Sequence, residues 1–485
     1  MKAKHRMSRR AALGGFAALG AVAALGPSTS PGAEAAGNSS RKPVRLADAR
    51  KAISERVFNS PLIDTHEHLI EEKQRLACAN SSHVPCDDWA FLLSHYLNSD
   101  LLVAGMSQAD MDLFLSSKCD PIDKWKLVAP YWPAVRNTGY AQAVRITVRE
   151  LYGAEDLSAA TVAKIQAGYE KVRRPGFYRR ILQDLGRIES CQVNCLTGEP
   201  FKQSDMPALL MQDISIVGMF AGPSFRQYAP ATGIDVKTLG DWHRVIDWWF
   251  ERYAQYAVAV KSQNAYSRDI DYARVPAEKA EAAFQKVLQK DPVRPEERKL
   301  VEDHLFWYAV DKATAHHLPV KLHTGYYAGQ NSMPLARLQH NPGSASELCL
   351  LSPDTQFVFM HICYPHYEAM LALAKQFANA HVDMCWSWII NPVAAKDYVK
   401  KHIVTAPANK LLPFGGDYIP VEPVLGHAAI ARRGIAQALF ELVDEGWLTL
   451  TDALDLVDMI LHGNARRIFH LSQRTEALKN APWFK

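Results

Sequence analysis

Leu62-Ile63-Asp64-Thr65-His66-Glu67-His68 is a short apolar run that ends in two histidines one residue apart. Successive side chains on a strand point to opposite faces, so a strand here projects His66 and His68 to the same side. Two imidazoles at the end of a buried strand supply half of a zinc-type ligand set. The pair alone does not separate a metal site from two surface histidines. The rest of the chain does.

Upstream, Val44 to Val57 carries apolar residues at helical spacing (Leu46, Ala49, Ile53, Val57) and is expected to form an amphipathic helix plugging one end of a barrel. Downstream, Trp89 to Leu185 has helical periodicity and no strand pattern. Strand-then-helix alternation follows. The strand candidates are Cys191–Cys195, Ile214–Phe220, Tyr256–Val260, Val320–Leu322, Gln356–Met360, Ala380–Met384 and Leu411–Phe414. Helices are expected at Leu239–Tyr253, Ala277–Gln289, Pro295–His317, Glu368–Ala378 and Ala428–Gly446. With the first strand this makes eight apolar strands, and alternation with helices implies parallel pairing. The expected fold is an α/β (β/α)8 TIM barrel over residues 38–485, with a helical insertion at about 80–188 after strand one.

The active site of such a barrel lies at the C-terminal ends of its strands. The fourth strand ends in Lys261, the fifth in His323, the sixth in His361, and the eighth leads through Pro413-Phe414-Gly415-Gly416 to Asp417. A single strand-end histidine is ordinarily structural, and Lys261 alone reads as a rim lysine with a buried stem. Together with His66 and His68, though, these residues place four imidazoles, a carboxylate and an amine on one rim. Mixed nitrogen and oxygen donors suit Zn, Mn or Fe, as one or two ions.

Composition narrows the function classes. The chain has 485 residues, 48% of them hydrophobic, and a formal net charge of +4, which gives no electrostatic case for nucleic acid or an anionic membrane. Ser8-Arg9-Arg10-Ala11-Ala12-Leu13 opens an Ala/Gly-rich run to Leu25, followed by Pro27 and the small residues around Ala33 and Ala35. This reads as a twin-arginine export signal over residues 1–37, implying a periplasmic or secreted protein with no membrane span in its mature chain. Eight scattered cysteines form no CxxC pair; Cys78 and Cys86 are near enough in sequence to bridge, and most of the others read as buried fillers. A small-molecule substrate is the expected partner, and the sequence leaves open whether the chain forms a homo-oligomer.

The order HxH, Lys, His, His, Asp along a barrel resembles the amidohydrolase superfamily, over roughly Val44 to Leu471. The resemblance implies that His66, His68 and Asp417 hold the metal and that His323 and His361 complete or flank the site. In the superfamily a lysine at the position of Lys261 is often carboxylated and bridges two ions, which makes Lys261 a candidate for that role. Within the superfamily the chain resembles the uronate isomerase branch. That resemblance rests on the long helical insertion, Phe225-Arg226 after strand three, His323-Thr324-Gly325 with Gln330-Asn331, and Trp386 and Trp388. His427 to Arg432-Arg433 and the C-terminal Asn464-Ala465-Arg466-Arg467 extend it. The chain departs where the isomerases carry carboxylate-binding arginines: Ile419 stands at one position and Tyr326, Tyr327 and Ala328 at the other. The isomerases also lack the lysine that stands here as Lys261, and they are cytoplasmic.

The reading these residues support is a metal-dependent hydrolase of an amide, ester or lactone, including sugar-derived ones. Asp417 would move the proton, and His361, His323 or the ion would polarise the scissile group. Arg226, Tyr326, Trp386, Trp388, His427 and Arg433 are the substrate-binding candidates. Isomerisation of a sugar acid, decarboxylation, and a non-catalytic binding role are the competing readings.

Overall fold

A computed structural model of the protein describes residues 45–77, 81, 83–196, 198–220, 225–329 and 333–484, all within one compact unit. The expected export signal and Cys78 lie outside the described residues. No helix among the described residues is long and apolar enough to cross a membrane.

The strands are β1 (Leu62–Glu67), β2 (Ile188–Val193), β3 (Leu210–Gln212), β4 (Ile214–Ser215), β5 (Val260–Ser262), β6 (Val320–Leu322), β7 (Phe357–Phe359), β8 (Ala380–Asp383) and β9 (Leu411–Leu412). They pair in parallel as β1-β2-β3 and β4-β5-β6-β7-β8-β9. β3 and β4 are one barrel strand interrupted at Asp213. Hydrogen bonds from Val258 N–H to Gln212 C=O (3.0 Å) and from Ile214 N–H to Ala259 C=O (2.9 Å) carry the pairing across the break. Thr65 N–H donates to Phe414 C=O at 3.1 Å and Asp417 N–H to His66 C=O at 2.9 Å, which joins the last strand to the first. The architecture is the eight-unit barrel.

Several boundaries differ from those read in the sequence. The second strand begins at Ile188 and stops at Val193, because the chain turns away once Asn194 N–H has bonded Glu67 C=O. The apolar run Ile214–Phe220 is a strand only to Ser215 and then winds into a 3-10 turn at Val217–Met219. The fourth strand runs Val260–Ser262, so Lys261 lies within it and not at its end.

The N-terminal helix, Leu46–Asn59, does not plug the barrel. It packs outside, against helices Glu422–Asp444 and Leu450–Asp458. The barrel floor is instead a buried cluster of Ile63, Val258, Val358 and Leu412 with Ile468, Phe469 and Leu471 from the C-terminal segment. That geometry is reasonable for a helix whose mean burial is one-sided: Ala49, Ile53 and Val57 cover an existing helix surface and are too few to fill a barrel mouth.

Between β1 and β2 the insertion is helical, as the sequence predicts. Its longest helix, Gly139–Tyr152, lies against helix Glu422–Asp444, and Gly426 makes the approach close: a Cβ there would collide with Ala143 C=O. Arg75, fully buried, fastens the same region. It donates to both Glu422 carboxylate oxygens (3.1 and 2.8 Å) and to Tyr169 Oη (3.0 Å), with its guanidinium 4.3 Å above Phe91.

Candidate metal centre

β1 delivers His66 and His68 to the C-terminal rim with their Nε2 atoms 3.3 Å apart. Asp417 Oδ1 lies 3.2 Å from His66 Nε2 and 3.3 Å from His68 Nε2. Ligand atoms about 2.1 Å from a tetrahedral ion stand roughly 3.4 Å from one another, so this triangle has the size of three sides of a zinc-type site. His361 joins from the end of β7, and a ligand atom from each of His361, Cys385 and Asp417 lies within 4.8 Å of the others. His323, after β6, is 2.9 Å away (Nδ1 to His361 Nε2).

Hydrogen bonding fixes where the protons are. His68 Nδ1–H donates to Asn194 C=O (2.8 Å), His361 Nδ1–H to Cys385 C=O (2.9 Å), and His323 Nε2–H to Tyr326 C=O (2.9 Å). A carbonyl oxygen can only accept, so each of these nitrogens carries the hydrogen and the opposite ring nitrogen holds a lone pair. Those lone pairs face one another and Asp417. Burial pushes His66, His323 and His361 well below the ordinary imidazole range and His68 to about 3, which keeps the rings neutral. Burial also pushes the Asp417 carboxyl up to about 7. Beyond the Tyr96 phenol and the Gln263 amide, 3.3 Å from His68 Nε2, the set is rich in buried acceptors, which a shared cation stabilises. The donor set fits a divalent ion.

Asp417 is held by a residue the sequence did not single out. Tyr96 Oη donates to Asp417 Oδ2 (2.6 Å) and lies 2.5 Å from its backbone C=O, leaving Oδ1 for the histidines. Tyr96 comes from the helical insertion, where no strand-end pattern marks it. Its ring stacks with both Tyr140 (5.2 Å) and Trp386 (4.9 Å), which lie 6.3 Å from each other. Asp417, Trp386 and His361 all adopt left-handed backbone, with φ of 63°, 65° and 63°. Such conformations cost of order 1–3 kcal/mol each and persist where surrounding contacts over-determine them.

Beneath the rim, Asp64 Oδ1 accepts from His66 N–H and Gly416 N–H, both at 3.1 Å. Glu67 Oε2 accepts from Tyr418 N–H at 2.6 Å. Burial raises the Asp64 carboxyl to about 6 and the Glu67 carboxyl well above its usual range. Gly416 has no room for a side chain, because a Cβ would overlap Glu67 Oε1. Gly416→Ala is therefore expected to displace the loop that carries Asp417, costing about 1–3 kcal/mol of stability and most of the bound metal. Metal analysis paired with a denaturation curve checks both.

The other expected site residues separate. Lys261 is buried inside the barrel with its Nζ 2.8 Å from Met360 Sδ, and burial lowers its ammonium to about 8. Trp386 lies at the rim, edge-on to His361 (5.4 Å), and Tyr326 borders the adjoining cavity. Trp388 instead donates from Nε1 to Pro413 C=O (2.7 Å) and packs against Gly434, so it supports the last strand and does not line the site. His427 sits behind the Gly415-Gly416 loop, its Nδ1 3.2 Å from Gly416 C=O. Arg433 is exposed on the outer helical layer in a groove with Arg50 and Phe58, away from the rim. Its neighbour Arg432 turns inward and donates to the carbonyls of Val57, Ser60, Gly186 and Arg187. The Arg226 side chain lies outside the described residues, as do Gln330 and Asn331.

Parallel barrel, helical cap, and a rim of histidines and a carboxylate define a TIM-barrel enzyme with a candidate metal centre. Residues 241–471 match the family described as Amidohydrolase. The fold is similar to that of glucuronate isomerase from Caulobacter crescentus (TM-score 0.71, 16% identity, covering 91% of this chain and 96% of that one). It is likewise similar to uronate isomerase from Thermotoga maritima (TM-score 0.70, 14% identity, 87% and 97%). In sequence, 177 residues are 25% identical to Protein fluG of Emericella nidulans, covering 36% of this chain. The chain spans 20% of the length of that relative. The C-terminal half of the barrel thus carries the match to the Amidohydrolase family, on a fold shared with the uronate isomerases.

Proposed function

We propose that the protein is an exported, metal-dependent hydrolase acting on an amide, ester or lactone. The observation that carries this reading is the convergence of His66 Nε2, His68 Nε2 and Asp417 Oδ1 within 3.2–3.3 Å of one another. His66, His68 and Asp417 would hold a divalent ion, with His361 and His323 completing or flanking it and Lys261 bridging a second ion if carboxylated. Zn is our choice, with Mn or Fe compatible with the same donors. Such an ion supplies a Lewis acid and makes a water molecule acidic near neutral pH.

The chain's own groups do the rest. Asp417 takes the proton of the attacking water and returns it to the leaving group. Tyr96 keeps that carboxylate in one orientation. His361 and His323 turn lone pairs and not N–H bonds into the site, so they serve as ligands or proton acceptors, not as donors to a scissile oxygen. The twin-arginine pattern read over residues 1–37 supports a periplasmic or secreted location for this activity.

Dialysis against a chelator is expected to abolish turnover of amide and ester substrates, and stoichiometric Zn to restore it. Full activity in the metal-free protein sinks the reading. A sugar-acid isomerase is favoured by one observation, the shared fold with two uronate isomerases. Against it, Ile419 and Tyr326 to Ala328 leave those positions without the cation that would hold a substrate carboxylate. Solvent deuterium at C2 of a product would decide for isomerisation.

A further inference from the structure

A cavity of about 500 Å³ adjoins the rim, walled by Asp100, Val103, Tyr140, Tyr326, Tyr327 and Leu335 among others. Two of these join it to the metal centre. Tyr326 lies 6.0 Å from Trp386 and supplies the carbonyl that fixes His323, while Tyr140 stacks on Tyr96 at 5.2 Å. Three chemical features coincide in the wall. Its outer edge is apolar and open, with Val103 71% and Leu335 58% exposed. Its sides are tyrosine rings. Its single described charge is the Asp100 carboxylate, whose Oδ2 is buried with no hydrogen-bond partner.

No lysine or arginine belongs to the described wall. Arg337 stands outside the wall, donating to Tyr266 C=O at 3.0 Å, with its guanidinium 5.5 Å over the Tyr327 ring, so that ring already holds a cation. An anion entering this cavity would meet the Asp100 carboxylate as a like charge and find no lysine or arginine fork in the described wall. A cation is favoured by the same carboxylate and by the aromatic wall.

We infer that this cavity is a subsite for a positively charged group, so that the substrate is an amine- or ammonium-bearing compound with an aromatic or alkyl portion and not a sugar acid. The inference rests on the reading of the rim as the reactive centre only in making the cavity's occupant that centre's substrate. Asp100 supplies the counter-charge, Tyr140 and Tyr326 give aromatic surface, and Val103 and Leu335 cover the apolar portion.

The test is binding, not turnover. Benzyltrimethylammonium, benzyl alcohol and benzenesulfonate share a ring, differ in charge and coordinate metals weakly. They are titrated into the purified protein by calorimetry. The cation is expected to bind at least about tenfold tighter than the sulfonate, with the alcohol between, and Asp100→Asn to remove most of that preference while leaving the alcohol unchanged. Equal or tighter binding of the sulfonate, survival of the cation preference in Asp100→Asn, or no binding of any of the three overturns the inference. Activity retained after chelation would overturn the hydrolase reading and leave this titration standing.

Discussion

Asp417→Asn is expected to strip the protein of tightly held metal and to lower kcat/KM by about a thousandfold or more, since the loss is of order several kcal/mol of charge stabilisation. The amide keeps the size of the carboxylate but not its charge, and cannot serve as a proton shuttle. Asp417 Oδ1 is the atom shared by both strand-one histidines, so its loss leaves the two Nε2 lone pairs facing each other. Tyr96→Phe tests the support separately. It removes the hydrogen bond to Oδ2 without touching a ligand, and second-layer changes of this kind cost about 10–100-fold. Metal content and kcat/KM measured on both variants give the answer. Asp417→Asn protein that keeps its ion and its rate refutes the assignment.

The largest effect on stability is expected at the opposite end of the same loop. Glu422→Ala leaves the Arg75 guanidinium buried and unpaired, at a cost of about 3–5 kcal/mol. Burying both charges is itself expensive, so the double variant Arg75→Met/Glu422→Leu is expected to recover most of that loss. Denaturant midpoints of the single and double variants distinguish a required pair from a merely tolerated one. Equal destabilisation in both would mean that the Tyr169 and Phe91 contacts, not the charges, dominate.

Strand order and the rim residues were legible because periodicity and residue type point the same way at β1, β6, β7 and the Gly415-Gly416 loop. Val320–Leu322 and Leu239–Tyr253 fall where the pattern puts them. Asp213 hid the first segment of the third strand, Leu210–Gln212, since a charged residue inside an apolar run reads as its boundary, whereas here it pairs with Lys321 at 2.6 Å inside the barrel. Tyr96 was invisible for a different reason. Its role depends on a contact 321 residues away in sequence, and nothing local distinguishes it from other tyrosines of the insertion. The carbonyls of Asn194, Cys385 and Tyr326, which orient three imidazoles, leave no trace in side-chain identity at all. Trp386 and Trp388 are two residues apart, yet the left-handed turn at Trp386 sends one ring to the rim and the other to the last strand. Arg432 and Arg433 were interchangeable to inspection, and only the helix register buries the first and exposes the second.

The phenol of Tyr96 that grips Asp417 also sets a sequence of events. β1 emerges first in synthesis, the insertion next, and the loop with Asp417 only after some 320 further residues of chain. His66 and His68 therefore precede Asp417 through most of translation, and the three candidate ligands come together only when the first and last strands have met. An ion bound by these residues would therefore be captured late, after the barrel has closed.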